Sequence, residues 1–225
     1  EGKISQLSAK IASSLSGLDC ITQPMLVQYI KDVIGNLDSE KLSQLTDNLG
    51  STIELFREKI RRMLSAYAAT QFDKLRDMSE IRTREAHRLP KAINPAPIDR
   101  HSISKSLYTE EGSFNDFEAE VIRQVSALGN VEFWHRNLER GKGFYINGNI
   151  NHYPDFIVRL KSGITVLIET KGDDRDNSDS EEKLRLGKAW ETESGKMYRY
   201  YMVFDHNDNL DGAITLPELT DRIGR

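Results

Sequence analysis

Three side chains in one short stretch have the types and spacing to do chemistry together: Asp155, Glu169 and Lys171, within NHYPDFIVRLKSGITVLIETK at 151–171. A hard divalent cation such as Mg²⁺ takes oxygen ligands. It needs only one or two protein carboxylates and completes its shell with water and phosphate. Such an ion makes a bound water a better nucleophile and neutralises charge on a scissile phosphate. An ammonium beside it can orient that water or stabilise a developing oxyanion. Two carboxylates and a lysine at one end of a sheet therefore fit phosphodiester hydrolysis with Mg²⁺, for which Mn²⁺ can substitute. The competing reading is structural: Asp155 as a turn residue after Pro154, and Glu169 and Lys171 as a solvated strand end.

Two strands must position these groups. FIVRL and ITVLI are apolar runs that suit strands buried on both faces, and Lys161-Ser162-Gly163 is the turn between them. Successive strand side chains alternate, so Glu169 and Lys171 share a face and Thr170 takes the other. Pairing across the turn brings Asp155 near Glu169. Around these strands the text predicts a helix from Ser113-Phe114-Asn115-Asp116 with Phe117, Val121, Val125 and Leu128 on one face. A strand over 131–135 follows. Asn147-Gly148 is a hairpin turn between 143–146 and residue 150 onward. Asp179 and Glu182 cap a helix running to about Trp190, then come a strand over 197–204 and a short helix over 217–223.

The first half reads as helices: over 3–17, from Thr22 and Pro24 to Gly35, and from Ser39 with Leu42, Leu45 and Leu49. A long one follows a Ser51/Glu54 capping box, with Ile53, Phe56, Ile60, Met63, Tyr67, Leu75 and Met78 near one face. Periodicity fails from residue 81, and Pro90, Pro95 and Pro97 mark a linker or surface loop. The expected organisation is a helical domain or arm at 1–80, an irregular linker at 81–112 and an α/β domain at 113–225.

Pro154-Asp155 followed by Glu169-Thr170-Lys171 resembles the PD-(D/E)xK nuclease motif. The wider text, Phe144-Tyr145-Ile146, then His152 to Val158, then Leu167 to Gly172, is similar to the nuclease domain of the restriction (helicase–nuclease) subunit of type III restriction enzymes. The resemblance covers about 113–205. It implies a helical domain followed by a restriction-endonuclease-like core of mixed α+β or α/β type: helix, three-stranded meander, helix, strand. It further implies Asp155 and Glu169 as metal ligands with the Thr170 carbonyl as a third, and Lys171 as the group that positions water. A helix acid near the metal is also implied, with Glu118 favoured over Glu120. The implied substrate is double-stranded DNA, cut to leave 5′-phosphate and 3′-hydroxyl ends. The implied partners are a helicase/ATPase region, upstream in the same polypeptide or separate, and a DNA methyltransferase/specificity subunit. Two readings from other programmes stay open: a non-catalytic docking module of the same fold, and a repair or transposition nuclease.

Charge and composition narrow the field. The formal net charge of −4 argues against a generic DNA-coating protein, with residues 1–100 at +2 and 101–225 at −6. From 55 to 91 the chain is basic. Arg57, Arg61 and Arg62 are either a solvated helix face or contacts to DNA phosphate, and Lys183 is a further candidate to reach phosphate. A single cysteine, Cys20, excludes an internal disulfide and is expected to be a small buried hydrophobe. No apolar run is long enough for a membrane span, and a bacterial cytoplasm is the expected compartment. There is no GxxxxGK[ST] loop, GxSxG, HExxH or CxxC, so ATP hydrolysis by this chain alone is not expected. The chain starts at Glu1, and a fragment of a longer protein is expected. The run from Asn207 to Gly212 with Glu218 approximates an EF-hand loop, but Pro217 fits such a loop poorly and a polar turn is the better reading.

Overall fold

The computed structural model describes residues 2–15, 17–18, 20–84, 86–93, 103–138, 143–172, 179–206 and 210–225. Asn207 to Asn209 of the EF-hand-like run, the acidic residues Asp173, Asp174 and Asp176, and His101, Pro95 and Pro97 lie outside them. The chain divides into two compact units, Glu1–Lys74 and Leu75–Arg225.

The first unit is helical: α1 (Gly2–Ser14), α2 (Gln23–Ile34), α3 (Ser39–Asp47) and all but the last three residues of α4 (Leu49–Asp77). Thr22 precedes α2 with extended backbone, and Pro24 sits in its first turn. The Asp38 carboxylate accepts the Lys41 N–H at 2.8 Å and caps α3. Ile11, Leu15, Leu26, Ile30, Ile34 and Ile60 form the core, and Leu64 is the last α4 residue packed on it. Three expectations change here. Leu49 opens α4, so Ser51 and Glu54 lie inside the helix and make no cap box at its start. Met63, Tyr67, Leu75 and Met78 stay exposed. At 1.5 Å per residue, the 29-residue α4 outruns the 13 residues of α1 and 12 of α2 that it packs on. Cys20 is exposed rather than buried, because it falls in the turn between α1 and α2.

The second unit holds α5 (Asp116–Ala127), β1 (Val131–Arg136), β2 (Ile146–Asn147), β3 (Asn151–His152), β4 (Phe156–Leu160), β5 (Thr165–Lys171), α6 (Ser180–Ser194), β6 (Tyr198–Phe204), β7 (Ile214–Thr215) and α7 (Leu216–Gly224). Its main sheet has the order β1-β4-β5-β6-β7. The β1/β4 and β4/β5 pairs are antiparallel, while β5/β6 and β6/β7 are parallel. A mixed five-stranded sheet flanked by helices results. Parallel neighbours need a crossover, and α6 supplies it between β5 and β6.

One sheet face packs Trp134, Phe156, Val158, Val166, Ile168 and Val203 against α5 (Val121, Ile122, Val125) and α7 (Leu219, Ile223). The opposite face carries Leu167 and Tyr200, with α6 on top. An Asn115/Glu118 capping box starts α5, and each partner's backbone N–H bonds the other's side chain at 2.9 Å. The β2–β3 hairpin turns through Gly148, Asn149 and Ile150, because Asn147 pairs with Asn151 and so belongs to the strand. Residues 103–111, within the stretch expected to be a linker, run along β1: Ser106 bridges Trp134, and Glu111 is fully buried.

Candidate functional site

The site begins with an unequal strand pairing. The last β4–β5 pair is Phe156 with Ile168. Beyond it β5 continues beside β6 as far as Lys171 opposite Phe204. The edge of Glu169-Thr170-Lys171 that faces β4 therefore lacks a strand partner, and Asp155 fills it. Asp155 Oδ2 accepts from the Thr170 N–H at 2.7 Å and the Thr170 hydroxyl at 2.8 Å. The N–H and C=O of a strand residue point to the same edge, so the Thr170 carbonyl faces this gap too. Gly163, at φ 84°, makes the turn that folds β5 back on β4. Buried Asn137 steadies Pro154-Asp155: its amide donates to the carbonyls of Phe144 at 2.7 Å and Pro154 at 2.9 Å.

Alternation splits the charges between two faces. On the α6 face, Glu169 Oε1 lies 3.4 Å from Lys171 Nζ and 3.5 Å from Lys183 Nζ. Asp179 joins the same two ammoniums at 3.3 and 2.7 Å. On the α5 face, Arg136 spans two carboxylates, with Nη1 2.8 Å from Asp155 Oδ1 and Nη2 3.4 Å from Glu118 Oε1. Glu111 Oε2 accepts the Arg136 backbone N–H at 3.1 Å and lies 3.0 Å from His135 Nδ1, so it anchors the end of β1.

Burial sets the electrostatics. Glu169 is pushed up to about 8, by burial first and by Asp155 second, against the pull of Lys183 and Lys171. Its Oε2 is buried without a hydrogen-bond partner among the described residues. Burial opposes the Lys183 ammonium, but Glu169 and Asp179 outweigh it and raise its pKa. Burial likewise opposes the Asp179 carboxylate, and Lys183 and Lys171 hold it below its ordinary value. His152 is pushed down to about 3, by burial and then by Lys183 and Lys171. Its Nε2 shares a 2.8 Å hydrogen bond with the Tyr200 hydroxyl, and its Nδ1 has no partner among the described residues. Burial, with Glu169 and Asp155 next, raises Tyr200 well above the usual phenol range.

These groups fit one hard cation. A carboxylate offers about four acceptor positions. Arg136 and Thr170 use three on Asp155, leaving one on Oδ1. Glu169 Oε2 has no hydrogen-bond partner among the described residues, and the Thr170 carbonyl faces the gap that Asp155 fills. Among the described residues no three His, Cys, Asp or Glu side chains are grouped to hold a metal. Mg²⁺, which keeps several waters, does not require such a group.

Asp155, Glu169, Thr170, Lys171 and Lys183 thus meet at one end of the sheet, and Glu118 reaches Asp155 through Arg136. Glu120 turns instead to Arg123 and Gln124, both at 2.7 Å. Arg57, Arg61 and Arg62 belong to α4 in the first unit. Arg57 bonds the Ser14 carbonyl at 3.0 Å and Glu54 at 3.2 Å, while Arg61 and Arg62 are exposed. Sequence reasoning missed Arg136, Asn137, His152 and the Glu111–His135 pair. Asp179 takes the N-cap position of α6, as expected. Asp179 makes no side-chain cap bond, because its carboxylate is drawn to Lys171 and Lys183. The four-residue spacing of Asp179 and Lys183 was the visible sign.

No protein-family model matches the chain, and no curated protein or solved structure matches it either.

Proposed function

We propose that the chain contains a Mg²⁺-dependent DNA endonuclease domain of the PD-(D/E)xK type, part of a larger ATP-dependent restriction subunit. Its working partners are a helicase/ATPase region and a DNA methyltransferase/specificity subunit. The observation that carries the reading is the unpaired end of β5, where Asp155 bonds Thr170 beside the half-satisfied carboxylate of Glu169. The order of α5, the antiparallel β1-β4-β5, α6 and a parallel β6 supports it, being the order the resemblance implies.

In this reading Asp155, Glu169 and the Thr170 carbonyl hold the cation, which polarises water and neutralises phosphate charge when bound. Lys171 orients the attacking water. Water adds to phosphorus, the bond to the 3′ oxygen breaks, and that oxygen takes a proton, leaving a 3′-hydroxyl and a 5′-phosphate. Lys183 stands one helical turn from Asp179 and can meet a phosphate oxygen. Glu118 acts by fixing Arg136, not by touching the cation.

Plasmid nicking in Mg²⁺ tests this. Asp155→Ala and Lys171→Ala are each expected to lose cleavage by at least a hundredfold with an unchanged far-UV spectrum. Equal cleavage by parent and variants discards the assignment.

A second reading has its own observation. Arg136 and Thr170 already occupy both Asp155 oxygens, which suits a docking module that keeps the fold without catalysis. Mn²⁺ binding separates the two, since a docking module has no need to take the ion at Asp155 and Glu169.

A further inference from the structure

Arg136 is held from several sides. Its guanidinium meets Asp155 and Glu118, Nη1 also reaches the Asp155 carbonyl at 3.3 Å, and the group lies 5.1 Å from the centre of the Phe156 ring. Its backbone N–H is bonded to buried Glu111. The side chain is 16% exposed, so this is a fixed charge and not a mobile counterion. A planar fork that bonds two carboxylates at once does for that face what a bridging divalent cation would do. Glu118 is further committed by its other oxygen, which accepts the Asn115 N–H.

Formal charge points the same way. Among the described side chains paired here, Glu118, Asp155, Glu169 and Asp179 face Arg136, Lys171 and Lys183, which leaves a formal −1 once a cation has displaced the Glu169 proton. One divalent cation turns this to +1, which matches the single charge of a phosphodiester. Two would leave +3 in a largely buried site, where uncompensated charge is costly.

We infer that Arg136 stands where a second metal ion would, holding Asp155 from the α5 side, so that the site takes a single divalent cation between Asp155 and Glu169. The inference rests on the metal-dependent reading above and assigns Arg136 as a positioning residue. Its consequence is a stoichiometry written into the protein by one side chain.

The test is a Mn²⁺ titration of the full chain, with free ion read by electron paramagnetic resonance and folding by thermal melting. The parent is expected to bind one Mn²⁺. Glu118→Gln is expected to keep that one site, with affinity within about threefold of the parent. Arg136→Gln takes the guanidinium away from Glu118 Oε1 and Asp155 Oδ1, and a second, weaker Mn²⁺ is expected. Arg136→Lys keeps the charge and is expected to stay at one. Two Mn²⁺ in the parent, loss of the site in Glu118→Gln, or one unchanged site in Arg136→Gln each overturn the inference while the nuclease reading stands. A parent that binds none removes that reading as well. Should Arg136→Gln fail to melt cooperatively, the parent and Glu118→Gln stoichiometries decide.

Discussion

Glu169 has one carboxylate oxygen on Lys171 and Lys183 and the other on no partner among the described residues, in a buried position beside Asp155. The folded protein therefore keeps it neutral up to about pH 8, far above its ordinary 4.5. Because the proton is bound more tightly in the folded state, Glu169 adds stability below 4.5 that is lost as pH rises through 8, by about 1.4 kcal/mol per pH unit. His152 acts with the opposite sign. Its pKa falls from 6.5 to about 3 in the fold, so its contribution is present above 6.5 and is lost as pH falls toward 3. Between pH 4.5 and 6.5 the two slopes cancel, and above 6.5 only that of Glu169 remains. Urea midpoints in EDTA should show a plateau at pH 4.5–6.5 and a decline to about pH 8 for the parent. Glu169→Gln should remove the decline, and parallel curves would show that Glu169 does not cause it. The same proton governs the metal. A cation must displace it, so Mn²⁺ affinity should rise close to tenfold per pH unit from 6.5 and level off near 8. Calorimetry in two buffers of different ionisation enthalpy should detect about one proton released per ion at pH 7.

At the scale of elements, the site depends on how closely α6 lies on the sheet. A Cβ built at Gly187 would fall 2.4 Å from the Tyr200 ring, so only a glycine admits this approach. Gly187 weakens its own helix by about 1 kcal/mol relative to alanine. Gly187→Ala should nevertheless destabilise the fold by roughly 1–3 kcal/mol, because overcrowding outweighs the gain in helix propensity. Moving α6 also moves Asp179 and Lys183, so cleavage should fall further than stability does. A urea midpoint and a nicking rate on one sample test both. The amino-acid text made much of this architecture legible. FIVRL, the Lys161-Ser162-Gly163 turn and ITVLI announce the hairpin, and alternation puts Glu169 and Lys171 on one face. It also announces α5 through its apolar spacing. What it hid are pairings between distant segments. Arg136 looks like any charged strand end until the register sets it opposite Phe156. Glu111 sits in a stretch without periodicity, and only the return of residues 103–111 along β1 buries it. Asp179 sits at the N-cap position, but Lys183 one turn on and Lys171, brought in by the fold, draw its carboxylate from the cap bond. β7 has two residues, too few to leave a pattern.

For the whole molecule, charge is the constraint on any DNA substrate. Residues 75–225 carry a formal −4 and residues 1–74 are neutral, so no unit attracts a polyanion by net charge. On the proposed reading, affinity would come from the cation, from Lys171 and Lys183, and from local basic surface. Of the helical arginines, Arg57 is engaged with Ser14 and Glu54, and its loss should act on stability. Arg61 and Arg62 are exposed on α4 and can release counterions if they meet phosphate. Each phosphate contact on duplex DNA contributes close to 0.9 to the slope of log affinity against log salt. Replacing both residues with glutamine should therefore flatten the slope by about 1.8 if both touch the backbone. The measurement is fluorescence anisotropy of a labelled duplex titrated with the full chain at several salt concentrations, in Ca²⁺ to hold cleavage back. The expected outcome is that flattening, with weaker binding spread evenly across DNA sequences, as phosphate contacts carry no base information. Arg57→Gln is the internal control, expected to lower the melting temperature and leave the slope alone. A slope unchanged by the double substitution would assign Arg61 and Arg62 to solvent and leave the second unit, with the proposed cation, as the source of whatever DNA affinity is measured.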